Sequence, residues 1–171
     1  DAVGLVGLSE GGLVAPIVAA RGEVAFIVLM AGPGLPGEEI LYQQGALIAR
    51  AMGSSEAQIE YNRTIQQQLF EVIKAEADPA VRRTRMEAVL RQQFAAVSDA
   101  ERAARGLTPQ AENEWIESQL RASGGPWFRY FLTHDPAPVL RQVQVPVLAL
   151  NGELDLQVPA DANLRAIEAA L

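Results

Sequence analysis

The sequence predicts an α/β fold in which parallel strands are covered by helices. Three apolar runs, at residues 2–8, 24–31 and 145–150, are continuous rather than alternating in hydrophobicity. Continuous hydrophobicity is typical of strands that are buried on both faces, as in parallel sheets. A short helical pattern separates the first two runs and a long helical region precedes the third, and parallel strands need connections of this kind.

Composition limits the class of protein. The chain has 171 residues, of which 49% are hydrophobic and 20% are charged, as in ordinary globular proteins. A net charge of −7 argues against a nucleic-acid partner, since binding to phosphates needs a basic surface. The longest strongly apolar stretch, residues 24–32, spans about nine residues, whereas a membrane helix needs roughly 20, so we expect no membrane span. With no cysteine and one histidine, metal sites built from cysteine or histidine are improbable, and nothing in the sequence implies a cofactor.

The first two runs enclose a predicted helix over residues 10–20, which completes a strand–helix–strand unit. Pro16 falls inside this helix and removes one backbone hydrogen bond. The carbonyl that its ring crowds belongs to Gly12, so we expect a local bend rather than a helix end.

Residues 38–123 contain no strand-like run and many helix-start signals. Ser55 opens a segment of capping-box form. Asp78-Pro79 and Thr108-Pro109 each pair an N-cap residue with proline at the first helical position. The glycines at 124 and 125 end the last of these helices.

These patterns divide the chain into three parts. Residues 1–37 belong to the sheet-containing core, residues 38–125 form a helical insertion, and residues 126–171 return to the core. The third strand runs into the polar turn at residues 151–155. Open α/β sheets place ligands and catalytic groups at this end of a strand.

The sharpest motif is the G-x-S-x-G pattern of Gly7, Ser9 and Gly11, placed between a strand and a helix. In a chain of this composition, chance produces about 0.04 such matches. We expect side chains at Gly7 and Gly11 to collide with the backbone of this sharp turn. Ser9 is therefore predicted to be a nucleophile, held above the sheet at the amino end of a helix.

The same position suggests how an anion would be stabilised. Helix amino ends favour negative charge, and the backbone N–H of Glu10 is the expected donor to an oxyanion hole. The structural alternative is a turn in which Ser9 acts only as the N-cap of the helix. That role does not call for glycines on both sides of the serine.

A catalytic serine needs a base, and the base needs a carboxylate to orient it. Where this motif occurs in α/β folds, the order along the chain is serine, acid, histidine, with the acid after a late strand. Asp155 fits this order and is the predicted acid. Glu153 is the rival acid two residues earlier, and a turn-forming role is the alternative for Asp155.

Together these segments resemble the α/β-hydrolase superfamily. The matching segments are GLSEGG, the strand followed by AGPG, a helical insert, DPAPVL and VPVLALNGELDLQVP. More narrowly, they resemble bacterial serine hydrolases of the prolyl-oligopeptidase and dienelactone-hydrolase branches. The resemblance implies an eight-stranded sheet in which the three runs are strands five to seven. It also implies that the insert caps the substrate pocket.

The chain departs from this family at the histidine. The family's triad histidine follows the acid in a loop after strand eight, and no histidine follows Asp155 in this sequence. We therefore expect the base to lie outside this chain, which we interpret as a segment of a longer protein. His134 precedes Asp155, so its order disfavours it as the base, and a capping or pocket-rim role is its alternative. The second oxyanion donor is expected upstream of Asp1.

Four apolar side chains are weaker candidates for the lining of an acyl pocket, with core packing as the alternative for each: Leu35, Tyr42, Trp127 and Phe131.

The sequence thus predicts a serine hydrolase of esters or related acyl bonds, acting on a small-molecule acyl substrate through an acyl-enzyme. The alternatives are a serine peptidase of the same fold and a non-catalytic ligand-binding relative. We expect residues 1–171 expressed alone to be inactive and poorly folded, because the first strand would present an unpaired apolar edge.

Overall fold

The computed structural model describes residues 2–22, 24–95 and 97–171, and these form a mixed α/β structure. Three strands and nine helices are present within those ranges. The strands are β1 (Gly4–Leu8), β2 (Phe26–Met30) and β3 (Val147–Leu150). The helices are α1 (Gly11–Ala19), α2 (Gly37–Ala51), α3 (Glu56–Ala75), α4 (Pro79–Ala95), α5 (Asp99–Arg105), α6 (Pro109–Ser123), α7 (Pro126–Thr133), α8 (Ala137–Leu140) and α9 (Ala160–Ala170).

The three predicted strands form one parallel sheet in the order β1-β2-β3. Leu8 is in register with Met30, and Met30 with Leu150, so all three strands end at one edge of the sheet. Seven helices connect β2 to β3, which confirms that a long helical region separates the second and third strands.

One face of the sheet carries the hydrophobic core of this part of the chain. Ile27 and Leu29 of β2 are each 1% exposed and pack against apolar side chains of α1, α8 and α9. The core members beyond the sheet are Ala15, Ala19, Leu140, Ile167 and Ala170. Alternation along β2 thus directs every second side chain into this layer.

The other face of the sheet is exposed among the described residues. Val6 and Leu8 of β1 are each 66% exposed, and they share this open face with Phe26, Met30, Leu148 and Leu150. The prediction that continuous hydrophobicity means burial on both faces is therefore wrong for the described chain. The strands are apolar on both sides, but helices cover only one side.

Helix α1 spans its proline without ending. Pro16 is buried inside the helix, and its carbonyl accepts a hydrogen bond from the Ala20 N–H at 2.9 Å. Pro16 is the sixth of the nine residues of α1, so its missing N–H removes one backbone hydrogen bond while the helix continues for three more residues.

The chain divides into two compact units. The first comprises Asp1–Gly53 and His134–Leu171, and the second comprises Ser54–Thr133. Helix α2 belongs to the first unit, although the sequence patterns placed it in the insertion, which was predicted to begin at residue 38. The second unit is wholly helical within the described residues and contains α3 to α7.

Helix starts in the second unit follow the predicted capping signals. The Ser55 hydroxyl accepts from the Gln58 N–H at 3.2 Å, and the Thr108 hydroxyl accepts from the Ala111 N–H at 3.1 Å. The Asp78 carboxylate accepts from two backbone N–H groups, those of Ala80 and Val81. Side-chain acceptors thus satisfy donors that a helix start leaves unpaired.

Candidate active site

Ser9 lies on the turn that joins β1 to α1, and its backbone conformation is unusual. Its φ angle is +51°, in the left-handed region that strains a residue with a side chain. The Ser9 N–H donates to the Met30 carbonyl at 2.9 Å, and the Ser9 carbonyl accepts from the Gly12 N–H at 2.8 Å. The side chain is exposed. Ser9 therefore has the strained strand–turn–helix setting that a nucleophile elbow requires.

The Ser9 hydroxyl does not cap helix α1. Glu10 occupies the N-cap position of α1, and no side-chain capping hydrogen bond is present there. In contrast, Ser55 caps α3 through its hydroxyl. The alternative reading of Ser9 as an N-cap thus has no support in the geometry of α1.

Close backbone contacts explain two of the glycines around Ser9. A Cβ atom on Gly7 would lie 2.1 Å from the Gly11 carbonyl oxygen, and one on Gly12 would lie 2.5 Å from the Gly32 Cα. Neither separation leaves room for a side chain. Gly11 itself has open space where its Cβ would be, so the expected collision at Gly11 is wrong. The second crowded glycine is Gly12, the residue after the motif.

Glu10 brings its backbone to the amino end of α1. Its φ and ψ angles of −53° and −36° are helical, and its carbonyl accepts from the Leu13 N–H at 2.9 Å. The Glu10 N–H precedes the first turn of the helix, where backbone donors and the helix dipole favour an anion. The predicted oxyanion donor thus lies at the amino end of α1, next to Ser9.

A second strained residue follows the neighbouring strand. Ala31 has a φ angle of +48°, and its N–H donates to the Leu150 carbonyl at 2.8 Å. Ser9 and Ala31 are the non-glycine residues with positive φ in the described chain. Sequence reasoning missed Ala31, since alanine gives no signal for a left-handed conformation.

The sheet register brings the predicted serine and acid to the same edge. Ser9 follows Leu8 at the end of β1, and Asn151 follows Leu150 at the end of β3. These ends lie two strand spacings apart, which is about 10 Å. Asp155 stands on the loop that leaves β3 at this edge. The sheet thus directs the Ser9 turn and the Asp155 loop to one side.

Asp155 is fixed by the backbone of its own loop. Its Oδ1 accepts from the Gln157 N–H at 2.8 Å and from the Val158 N–H at 3.0 Å, and its own N–H donates to the Gly152 carbonyl at 3.1 Å. Both carboxylate bonds use Oδ1, which leaves Oδ2 to accept from an imidazole N–H. These bonds show the turn-forming role that was the alternative for Asp155, and the same carboxylate keeps Oδ2 for the predicted role as triad acid.

Glu153 differs from Asp155 in how it is held. Its side chain is exposed, and no hydrogen bond to it is found among the described residues. Both carboxylates border an open groove of about 700 Å³, but Ser9 is not among the residues that line it. The apolar lining of this groove includes Leu47, Leu154, Leu156 and Leu164. Of the two acids, Asp155 has the fixed geometry.

Asn151 closes the Asp155 loop at its base. Its Nδ2 donates to the Val158 carbonyl at 2.6 Å, which joins the two ends of the loop. Its Oδ1 is buried and has no hydrogen-bond partner within the described residues. Sequence reasoning recognised the Asn151-Gly152 turn but not this closing bond.

His134 lies between α7 and α8 and is half-buried. Its carbonyl accepts from the Gly37 N–H at 3.2 Å, at the start of α2. Burial lowers the pKa of the imidazole below its ordinary value, and the neighbouring Asp135 carboxylate opposes this effect. The described contacts of His134 therefore place it at a helix junction of the first unit.

The four candidate pocket residues are divided between the two units, two in each. Leu35 and Tyr42 belong to the first unit, and the Tyr42 hydroxyl donates to Glu38 Oε1 at 2.7 Å. Trp127 and Phe131 belong to the second unit, where their rings stack with centroids 5.4 Å apart. Trp127 also packs against Phe128, with ring centroids 6.5 Å apart.

Within the described ranges, no group of three or more potential metal ligands is found. No helix in the same ranges has both the length and the apolar character needed to cross a bilayer.

Comparisons of the chain with models of protein families, with curated proteins and with solved structures find no match. The resemblance to α/β hydrolases therefore stays a prediction from the sequence.

Proposed function

We propose that this chain supplies the nucleophile and the acid of a serine hydrolase that cleaves esters or related acyl bonds. The observation that carries the proposal is the backbone of Ser9. A strained φ of +51° on a non-glycine residue, between a strand and a helix, holds an exposed hydroxyl in a fixed place. Such strain is retained where function needs it.

In the proposed reaction, Ser9 Oγ attacks the carbonyl carbon of the substrate while a histidine takes the hydroxyl proton. The carbonyl electrons move to oxygen, and the Glu10 N–H donates to the resulting oxyanion. Collapse of this intermediate expels the alcohol, which takes the proton from the histidine. Water then attacks the acyl-enzyme with the same histidine as base, which releases the acid and restores Ser9.

Asp155 serves the histidine in this scheme. Its Oδ1 is committed to two backbone N–H groups, so Oδ2 accepts the Nδ1–H of the imidazole. This bond fixes the tautomer in which Nε2 faces Ser9 and stabilises the imidazolium that forms. Glu153 has no comparable anchor, so we assign it no part in the triad.

The proposed base lies outside these 171 residues. His134 is the sole histidine of the sequence and precedes Asp155. It is half-buried in the first unit, where its carbonyl accepts from the Gly37 N–H, so we assign it a structural role.

The test is hydrolysis of p-nitrophenyl acetate by the full-length protein and three variants. Ser9→Ala is expected to abolish turnover. Ser55→Ala is the matched control, because it removes the hydroxyl of another exposed serine close to the amino end of a helix, and it is expected to retain activity. His134→Asn is expected to retain activity as well. Full activity in Ser9→Ala would overturn the proposal, and loss of turnover in His134→Asn would transfer the role of base to His134.

A further inference from the structure

Asn163 is a buried polar residue that the proposed reaction does not use. It lies on α9 and is 1% exposed, although an amide loses hydration when it is buried. Burial of such a group is favourable only where hydrogen bonds replace the lost water. The partners of Asn163 therefore indicate what it does.

The amide side chain of Asn163 joins two segments that are far apart in sequence. Its Oδ1 accepts from the Gly34 N–H at 2.8 Å and from the Leu35 N–H at 3.3 Å, in the loop after β2. Its Nδ2 donates to the Pro159 carbonyl at 2.9 Å, at the end of the Asp155 loop. One side chain thus connects the loop after β2 to the segment after Asp155.

The contact between the two segments is too close for a side chain on the loop. A Cβ atom on Gly34 would lie 2.3 Å from the main-chain carbonyl oxygen of Asn163 and 2.9 Å from Ile167 Cγ1. Glycine at this position therefore allows the loop backbone to reach the Asn163 amide.

The connection extends from Asn163 to both predicted catalytic residues. Pro159 follows Val158, whose N–H donates to Asp155 Oδ1 and whose carbonyl accepts from Asn151 Nδ2. In the other direction, the loop after β2 begins beside α1, where Gly32 approaches Gly12 so closely that a Cβ on Gly12 would lie 2.5 Å from the Gly32 Cα. Gly12 donates its N–H to the Ser9 carbonyl.

We propose, resting on the hydrolase function above, that Asn163 is a positioning residue that fixes the Asp155 loop relative to the Ser9 turn. It touches neither the substrate nor the reacting atoms. Its three hydrogen bonds hold the loop after β2 and the start of α9 together, so the acid stays at one distance from the serine. Catalysis depends on such placement, since an error of about 1 Å costs roughly 10²-fold in rate.

The first experiment compares kcat and KM in the full-length protein. Asn163→Leu keeps a side chain of similar size but removes all three hydrogen bonds, and it is expected to lower kcat by about 10²-fold with KM little changed. Leu140→Ala is the matched control, since Leu140 is 1% exposed in the same hydrophobic core and lies on α8, outside both loops. It is expected to lower the melting temperature as well but to leave kcat close to wild type. An equal fall in kcat in both variants would show that Asn163 only stabilises the fold and would overturn the inference.

The second experiment measures how firmly the two loops are held and needs no enzymatic activity. Amide hydrogen exchange is measured for Gly34 and Leu35, and for Gln157 and Val158, which donate to Asp155. In Asn163→Leu all four amides are expected to exchange faster, whereas Leu140→Ala leaves them protected. Unchanged exchange at Gln157 and Val158 would overturn the inference even if the protein hydrolyses esters. If wild-type protein hydrolyses nothing, the proposed function fails, and exchange alone decides whether Asn163 fixes the Asp155 loop.

Asn163→Asp provides the measurement if Asn163→Leu does not fold. It keeps the size and the Oδ1 acceptor for Gly34 and Leu35 but removes the donor to Pro159. Faster exchange is then expected at Gln157 and Val158 with Gly34 and Leu35 still protected. The same exchange as wild type at all four amides would contradict the positioning role.

Discussion

Asp155 and Glu153 lie two residues apart on one loop, but the backbone holds only Asp155. Because the Asp155 carboxylate accepts from the Gln157 and Val158 N–H groups, the backbone alone sets its orientation, without a histidine. Asp155→Asn is expected to lower kcat by up to about 10⁴-fold, as loss of a triad acid does. Glu153→Gln is the matched change on the same loop and is expected to stay close to wild type in ester hydrolysis. Equal effects of the two variants would mean that the acid is misassigned.

His134 provides a prediction about pH. Burial lowers its pKa below the ordinary value of 6.5, so the folded protein disfavours the charged form more than the unfolded chain does. Stability is then fully present above pH 6.5 and is lost as the pH falls through the lower pKa of the folded state. NMR titration of the imidazole is expected to give a midpoint below 6.5, and His134→Gln is expected to reduce the loss of stability on acidification. A midpoint above 6.5 would mean that the Asp135 carboxylate outweighs burial.

At the scale of single elements, the β1–α1 turn places Gly7 and Gly11 in different surroundings, although both are glycines of the G-x-S-x-G motif. Gly7→Ala places a Cβ against the Gly11 carbonyl, so it is expected to destabilise the fold by at least about 1–3 kcal/mol and to disturb Ser9. Gly11→Ala meets open space in a helical position and is expected to be neutral or to stabilise by up to about 1 kcal/mol. Urea denaturation and ester hydrolysis of both variants test this difference. A larger loss of stability in Gly11→Ala than in Gly7→Ala would contradict the described turn.

The open face of the sheet is the second element with a measurable consequence. Its apolar side chains, among them Leu148 and Leu150, favour contact with other apolar surfaces. The 171-residue chain is therefore expected to bind the dye ANS and to self-associate in sedimentation velocity. Leu148→Lys with Leu150→Lys is expected to reduce both effects. Met52→Lys, at an apolar residue that is 80% exposed but lies outside the sheet, is the control and is expected to change neither.

At the scale of the whole molecule, the sequence predicted the elements better than their surroundings. The three strands and the helix starts at Ser55, Asp78 and Thr108 follow from local hydrophobicity and capping chemistry, which need no knowledge of distant contacts. The sequence did not predict that helices cover only one face of the sheet. A strand that is apolar on both sides has the same sequence whether one face or both are covered.

The candidate site was predictable to the same extent. The Ser9 motif and Asp155 are local patterns, so both could be recognised and placed at strand ends. Ala31 and Asn163 could not, because their roles come from a left-handed backbone in one case and from partners 128 and 129 residues away in the other. No local pattern marks either residue.

The most direct test of the hydrolase proposal is covalent labelling of Ser9. Full-length protein is treated with a fluorophosphonate probe, digested and analysed by mass spectrometry, with Ser9→Ala and Ser55→Ala as parallel samples. One adduct is predicted, on the peptide that contains Ser9, with labelling lost in Ser9→Ala and retained in Ser55→Ala. Protein that hydrolyses acyl esters yet carries no adduct on Ser9, or an adduct on another serine, would contradict the assignment of the nucleophile.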